Sequence, residues 1–249
     1  MKNCTLPCIF KVVLLAVCHL SAQAAPPLLE WSASAGGNRY TESKMQLHGP
    51  ELGLRVKANH FAQTMNLFGE GELFVGQQNY SSDGTGTMRG VTNVESRWRG
   101  LSRVVPGLTP TEGLYTGLAL HTLWNDLRGL SSTGNPGYER EAVQLWLPLR
   151  WVSNQAWQME TGLLLRGRHM SRLSQSSRSY QDVSNPQRHG VYAQVSWDYQ
   201  VDTDNLVSPY LRYTSLASSD YVIMNHQYWY EPASKRWQMG LTWRWDHTP

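Results

Sequence analysis

The residues best suited to acid–base chemistry are His121, His169 and His189 together with Asp126, Glu139, Glu141 and Asp182, all near the ends of extended segments. A histidine beside a carboxylate can move a proton near neutral pH, but only when the two come within hydrogen-bond reach. Spacing along the chain does not fix their distances in space, so no catalytic residue is assigned. No His-x-x-x-His pair or comparable ligand cluster occurs, and neither a metal nor another cofactor is expected.

A second set of charges is far more regular. Glu30, Arg55, Lys57, Glu70, Glu72, Glu95, Arg97, Arg99, Glu160, Arg166, Arg168, Arg212, Arg236 and Arg244 recur at every second position within their segments. A spacing of two is the side-chain period of a β-strand, so each run of charges lies on one face. The opposite face is apolar. In the closing segment Trp237, Met239, Leu241, Trp243 and Trp245 oppose Arg236, Gln238 and Arg244. Val143, Leu145, Leu147, Leu149 and Trp151 oppose Gln144, Trp146, Pro148 and Arg150, and a tight link near 153–155 leads into Trp157, Met159, Thr161, Leu163 and Leu165. Two solvents can produce such alternation. A soluble sandwich would bury the apolar face, whereas a membrane barrel would turn it to hydrocarbon and keep the charges in a wet or packed lumen.

Composition separates the two. Eleven Trp and 12 Tyr stand against four Phe, a balance that suits amphipathic rings at a membrane interface better than a dry core. Trp31, Trp98, Trp124, Trp151, Trp157, Trp197, Trp237, Trp243 and Trp245 fall on apolar faces and are expected to form that lipid-facing girdle. Mean hydropathy is below zero, which excludes a bundle of membrane helices but not a barrel, because half of each spanning strand avoids lipid.

Residues 1–24 read as an export signal: Lys2 and Lys11 precede the apolar run 12–18, and Ala22-Gln23-Ala24 supplies small residues for cleavage before Ala25. Lipoprotein processing at Cys18 is the alternative. Cys4, Cys8 and Cys18 all lie in this segment, so residues 25–249 carry no thiol and no disulfide. Without Lys2 and Lys11 the chain holds 20 basic and 19 acidic residues, a net charge of +1, and no Lys/Arg run that would suit nucleic acid.

About ten such strands can be placed between 28 and 246, with short links near 61–65, 104–112, 153–155 and 201–205 and longer ones near 41–50, 79–90, 125–140, 170–188 and 217–235. Alternating short and long connections, with both ends on the short side, is the pattern of an antiparallel transmembrane barrel with short periplasmic turns. The fold expected for 25–249 is therefore all-β, an up-and-down meander of about ten antiparallel strands.

The run Gly137-Tyr138-Glu139-Arg140-Glu141, followed by Leu145-Trp146-Leu147-Pro148-Leu149, resembles a group of predicted outer-membrane β-barrel proteins of Gram-negative bacteria. The turn at Gly84–Gly86 is similar as well. That resemblance implies fold and outer-membrane location; the group has no established activity and transfers no catalytic residue. Within the motif, Tyr138, Arg140 and Glu141 sit where a long loop enters a strand, and Arg140 is expected to pair with Glu141 across the rim.

The function expected is that of a non-enzymatic, monomeric envelope protein. Its lumen is filled by interlocked charges, and its partners are outer-membrane lipid, lipopolysaccharide and, during insertion, the barrel-assembly machinery. A narrow solute channel lined by surplus arginine and a barrel enzyme acting on lipid A or surface peptides are the alternatives.

Overall fold

The structure, a computed structural model, describes residues 28–61, 66–109, 111–153, 156–203, 205–224 and 226–245. The expected leader at 1–24 lies outside them. The strands are β1 (Leu28–Thr41), β2 (Met45–Phe61), β3 (Asn66–Ser82), β4 (Gly86–Pro106), β5 (Gly113–Asp126), β6 (Glu139–Val152) and β7 (Trp157–Ser171). After them come β8 (Val183–Gln187), β9 (Gly190–Trp197), β10 (Tyr199–Gln200), β11 (Asn205–Leu216), β12 (Val222–Met224), β13 (Gln227–Trp229) and β14 (Ser234–Trp245).

Each of β1 to β7 pairs antiparallel with the next, and β14 pairs with both β11 and β1, so the sheet closes on itself. The segments β8, β9 and β10 share the eighth place, because β7 pairs with β8 and β9 while β11 pairs with β9 and β10. The result is a ten-stranded up-and-down barrel. Closure matters energetically, since it leaves no row of unpaired backbone groups along an edge.

Apolar alternation becomes an outer surface. Leu52 is 68% exposed and Leu241 56%, and Leu54, Leu118, Leu147, Leu149 and Leu163 are likewise open on the outside. Glu51, Glu72, Arg97, Arg99 and Gln238 are buried inside. In water this would be an inverted protein. It is the arrangement that hydrocarbon selects, with the polar groups paired internally.

The expected girdle residues form two levels. Trp31, Trp151, Trp157, Trp197, Trp243 and Trp245 lie toward the end that carries residues 28 and 245; Trp31 faces Trp245 across the β1–β14 pair, and Trp157 stacks on Trp197 with ring centroids 5.4 Å apart. Trp124 and Trp237 lie toward the opposite end, where Trp237 packs on Tyr213 at 4.5 Å. Trp98 belongs to neither level: it covers Gly71 on the neighbouring strand and donates its indole N–H to Ser96.

Two of the long loops expected from sequence are strand instead. Residues 45–50 and 79–82 belong to β2 and β3, and the connections shrink to tight turns at 42–44 and 83–85. The outward face turns polar above the apolar belt, but backbone pairing continues because it needs no lipid. Strands therefore run 14 to 21 residues in β1 to β7, against the ten or so that cross a membrane. The loop near 170–188 contains β8, and the loop near 217–235 folds into the β12–β13 hairpin.

Aromatic rings lie over glycines on adjacent strands. Phe74 covers Gly53, and Tyr192 covers Gly162, where an added Cβ would come within 2.2 Å of the Tyr192 ring. Tyr192 in turn donates to Glu160 at 2.8 Å. Gly162→Ala is therefore expected to displace the ring and lower unfolding stability by about 1–3 kcal/mol. Gly69→Ala, where nothing lies within 4 Å of the new methyl, should be close to neutral when both variants are compared by urea titration. Equal costs at the two sites would contradict the packing.

Candidate functional site

Below the loop end, the lumen is crossed by a lattice of charges. The period-two pattern places Glu70 and Glu72 on the inner face of β3, opposite Arg99 and Arg97 of β4 and Arg55 of β2. Glu72 accepts from Arg55 at 2.7 Å, Arg99 at 2.8 Å and Arg212 at 2.9 Å. Arg99 bridges onward to Glu160 at 2.8 Å, and Arg150 joins Glu160 at 2.5 Å to Glu70 at 2.9 Å. Guanidinium groups also rest on aromatic faces: Arg150 lies 5.0 Å from the Phe68 centroid and Arg212 5.6 Å from that of Phe74.

A second layer lies nearer the loop end. Arg236 meets Glu95 at 2.9 Å, and Arg97 also donates to Glu95. Gln238 donates to Glu95 at 2.9 Å and to Glu51 at 3.0 Å, and Asn38 donates to Glu51 at 2.7 Å. Counting Glu51, Glu70, Glu72, Glu95 and Glu160 against Arg55, Arg97, Arg99, Arg150, Arg212 and Arg236 gives five anions and six cations, so the two layers are close to neutral. At the terminal end Glu30 lies 3.6 Å from Lys57 and 3.4 Å from Arg244.

Twelve of the 14 residues expected inside thus face the lumen. Arg166 and Arg168 do not; both are exposed on the outer surface. The cause is a bulge: Leu145 pairs with Arg166 but Trp146 pairs with Leu164, leaving Leu165 as an extra residue. Beyond it the parity of β7 reverses, so Gly167, His169 and Ser171 turn inward. Arg150 and Glu51 are members that sequence reading missed, although both keep the period of the charges around them.

The rim motif also differs from expectation. Arg140 points inward, where it contacts Glu42 and lies 3.0 Å from Glu231. Glu141 points outward and pairs with Arg172 at 2.7 Å. Adjacent residues of one strand face opposite sides, so Arg140 and Glu141 cannot meet. Tyr138 is half-buried, and burial pushes its phenol above the ordinary value.

Glu231, from the loop after β13, is the anchor of this end. It accepts from Ser171 at 2.6 Å and lies 3.5 Å from His169. Its backbone N–H donates to Ser219, and Asn185 holds the carbonyls of Asp220 and Trp229. Burial alone would raise the carboxyl, but Arg140, His169 and Ser171 outweigh it and hold Glu231 below its ordinary value of 4.5. A depressed folded value means that docking contributes fully above 4.5 and is lost as pH falls through the lowered value. Amide protection in residues 217–233, taken relative to intrinsic exchange at each pH, should therefore be full at neutral pH and fall on acidification, as Glu231 takes up its proton and the buried His169 beside it is forced to charge. Protection that does not change between neutral pH and about pH 3 would assign the clamp to other groups.

The residues with acid–base potential are dispersed. His121 is wedged inside between Trp146 and Tyr192, with centroids 5.6 and 5.3 Å away. His189 is exposed, Asp126 pairs with Arg128 at 2.7 Å, Asp182 accepts from Ser174 at 2.6 Å, and Glu139 accepts from Gln175 at 2.8 Å. Only His169 meets a carboxylate, and that is Glu231, 62 residues further along and not singled out by any local spacing. Among the described residues no three or more His, Cys, Asp or Glu side chains are grouped to hold a metal ion.

Above Arg140 opens a cavity of about 310 Å³. The loop 127–138 forms one wall, tied to the β3–β4 turn by Ser132 N–H to Thr87 O at 2.9 Å and Thr133 Oγ1 to Thr85 O at 2.9 Å. The loop after β13 forms the other.

No family model matches this chain, and no curated protein matches it. Among solved structures, the outer membrane protease OmpT of Escherichia coli aligns with a TM-score of 0.51 at 10% identity, covering 90% of this chain and 98% of that one. The β domain of the Bordetella autotransporter BrkA gives 0.44 at 13% identity, covering 90% and 99%. An outer membrane channel from Pseudomonas putida F1 gives 0.41 at 10% identity, covering 90% and 98%. At these identities the likeness to OmpT is one of fold.

Proposed function

We propose that this chain is an integral outer-membrane protein of a Gram-negative envelope, exported by a leader spanning 1–24 and inserted as a monomer by the barrel-assembly machinery. Its termini face the periplasm and its loops the exterior, in contact with outer-membrane lipid and lipopolysaccharide. Its role is non-enzymatic: the barrel holds a surface of loops in place and does not conduct. The observation that carries this reading is the pairing of an apolar outer belt with a nearly neutral Arg/Glu lattice across the lumen, which gives the chain a lipid-compatible outside and, among the described residues, leaves no free row of charge to line a path.

The test has two parts. Refolded protein should migrate differently on a gel before and after boiling, as detergent-resistant barrels do, and should leave a planar bilayer without discrete conductance steps. Absence of the mobility shift would overturn the membrane assignment. Steady steps would overturn the closed lumen in favour of the narrow channel.

A further inference from the structure

The bulge in β7 leaves two cations on the outer surface without an anion. Arg166 and Arg168 are both exposed there; Arg168 donates to the Ser184 hydroxyl, and Arg166 has no hydrogen bond or ion pair among the described residues. Arg128, Arg172 and Arg188, also at this end, each meet a carboxylate. In register Arg166 stands beside Leu145 and Arg168 beside Val143, two exposed members of the apolar belt. Arg166 follows Trp157, on the terminal Trp level, by nine positions with the bulge between them. At about 3.3 Å per residue and a tilt of about 40°, that is a rise of about 20–23 Å, close to the roughly 25 Å of a barrel's apolar band. Arg166 therefore lies at the upper edge of the belt, where a cation is tolerated, and Arg168 just beyond it. Headgroup phosphates lie at that level, and a guanidinium meets a phosphate through two parallel N–H donors.

A second feature lies further down the same strand. Leu149, Thr161, Ala193 and Tyr213 stand side by side in register across β6, β7, β9 and β11, so two small side chains fall between two large ones. The outer face sinks there into a groove of about 570 Å³, walled by Met159, Val195 and Leu211. The Thr161 hydroxyl donates to the Tyr192 carbonyl at 2.9 Å, which leaves methyl groups as the floor. From Arg166 to Thr161 the depth is about 13 Å, within the roughly 15 Å that the acyl chains of one leaflet occupy in a core about 30 Å thick. A free phosphate would leave the groove empty, and an uncharged lipid would leave both guanidiniums unanswered. One molecule carrying a phosphate and acyl chains satisfies both.

We propose that the outer face of β7 seats a phosphorylated, acylated lipid of the outer leaflet, with the chemistry of lipid A: Arg166 and Arg168 clasp a phosphomonoester, and an acyl chain lies over Thr161 and Ala193. A phosphomonoester brings three free oxygens and nearly two charges to the paired guanidiniums, against two oxygens and one charge in a phosphodiester. This deepens the envelope reading above and rests on the loop end facing the exterior.

Native mass spectrometry of the refolded full chain in neutral detergent tests it, with diphosphoryl lipid A, phosphatidylglycerol and phosphatidylcholine offered at equal concentration. Lipid A should be retained roughly tenfold better than phosphatidylcholine and better than phosphatidylglycerol, and inorganic phosphate at the same concentration should not displace it. The double variant Arg166→Gln/Arg168→Gln should lower its retention roughly tenfold, and Ala193→Trp, which fills the groove, about threefold. All four positions lie on the exposed outer face or replace exposed side chains, so both variants should keep the gel-mobility shift. The proposal is overturned if either comparator lipid is retained as well as lipid A, if inorganic phosphate displaces it, or if either variant retains it as the parent does. Absence of the mobility shift in the parent protein would instead overturn the barrel reading, so the two failures are distinguishable.

Discussion

Glu72→Ala is expected to be among the most damaging single substitutions in the chain, lowering unfolding stability by about 3–5 kcal/mol in a urea titration followed by gel mobility. Glu72 is 1% exposed and is shared by Arg55, Arg99 and Arg212, with Arg97 at 3.9 Å. Its removal leaves those guanidiniums facing one another with one carboxylate fewer. The cost comes from the cations left behind more than from the net worth of the lattice, which desolvation keeps modest. Glu72→Gln should cost less, because the amide oxygen still accepts. If Glu72→Ala costs under about 1 kcal/mol, in the range of exposed pairs, the lumen is hydrated and the closed-barrel proposal weakens with it.

Leu241→Arg makes the complementary test on the outside. Leu241 is 56% exposed in β14, flanked in register by Ala35 of β1 and Pro209 of β11. On a water-facing sheet the change would be nearly silent. In a bilayer a cation near the midplane of a lipid-facing strand costs about 2–4 kcal/mol, falling to about 0–1 near the interface. Refolding into phosphatidylcholine vesicles should therefore show a large loss for Leu241→Arg and a small one for Leu29→Arg, close to the terminal Trp level. Two small losses would mean that the apolar belt does not meet hydrocarbon.

The barrel is legible in the sequence wherever one face is apolar and the other charged, because only a period of two accommodates ladders such as Val143 to Trp151. Legibility fails where that contrast ends. Above the belt the outer face of β2 and β3 is polar, so strand at 45–50 and 79–82 reads as loop. At Leu165 the run Leu163-Leu164-Leu165-Arg166-Gly167-Arg168 gives no sign of an inserted residue, and the parity beyond it is read wrongly. That one residue moves Arg166 and Arg168 outside and brings His169 and Ser171 to Glu231. The cavity is illegible for another reason: Glu42, Arg140 and Glu231 are 98 and 91 residues apart, and the loops carrying two of them have no periodicity to align.

Because Cys4, Cys8 and Cys18 are the only cysteines and all lie within residues 1–24, a chain prepared from Ala25 onward takes single spin labels without competing thiols. Labels at Val143, Leu145, Leu147, Leu149 and Trp151 in reconstituted vesicles give the most direct reading, by relaxation with oxygen, which concentrates in lipid, and with a water-soluble nickel chelate. Oxygen access should peak near Leu147 and nickel access rise toward both ends of the series. Nickel access that is uniform along it, or collisions too few for either reagent at Leu147, would place that face in water or in a protein core and contradict the barrel's lipid-facing outside.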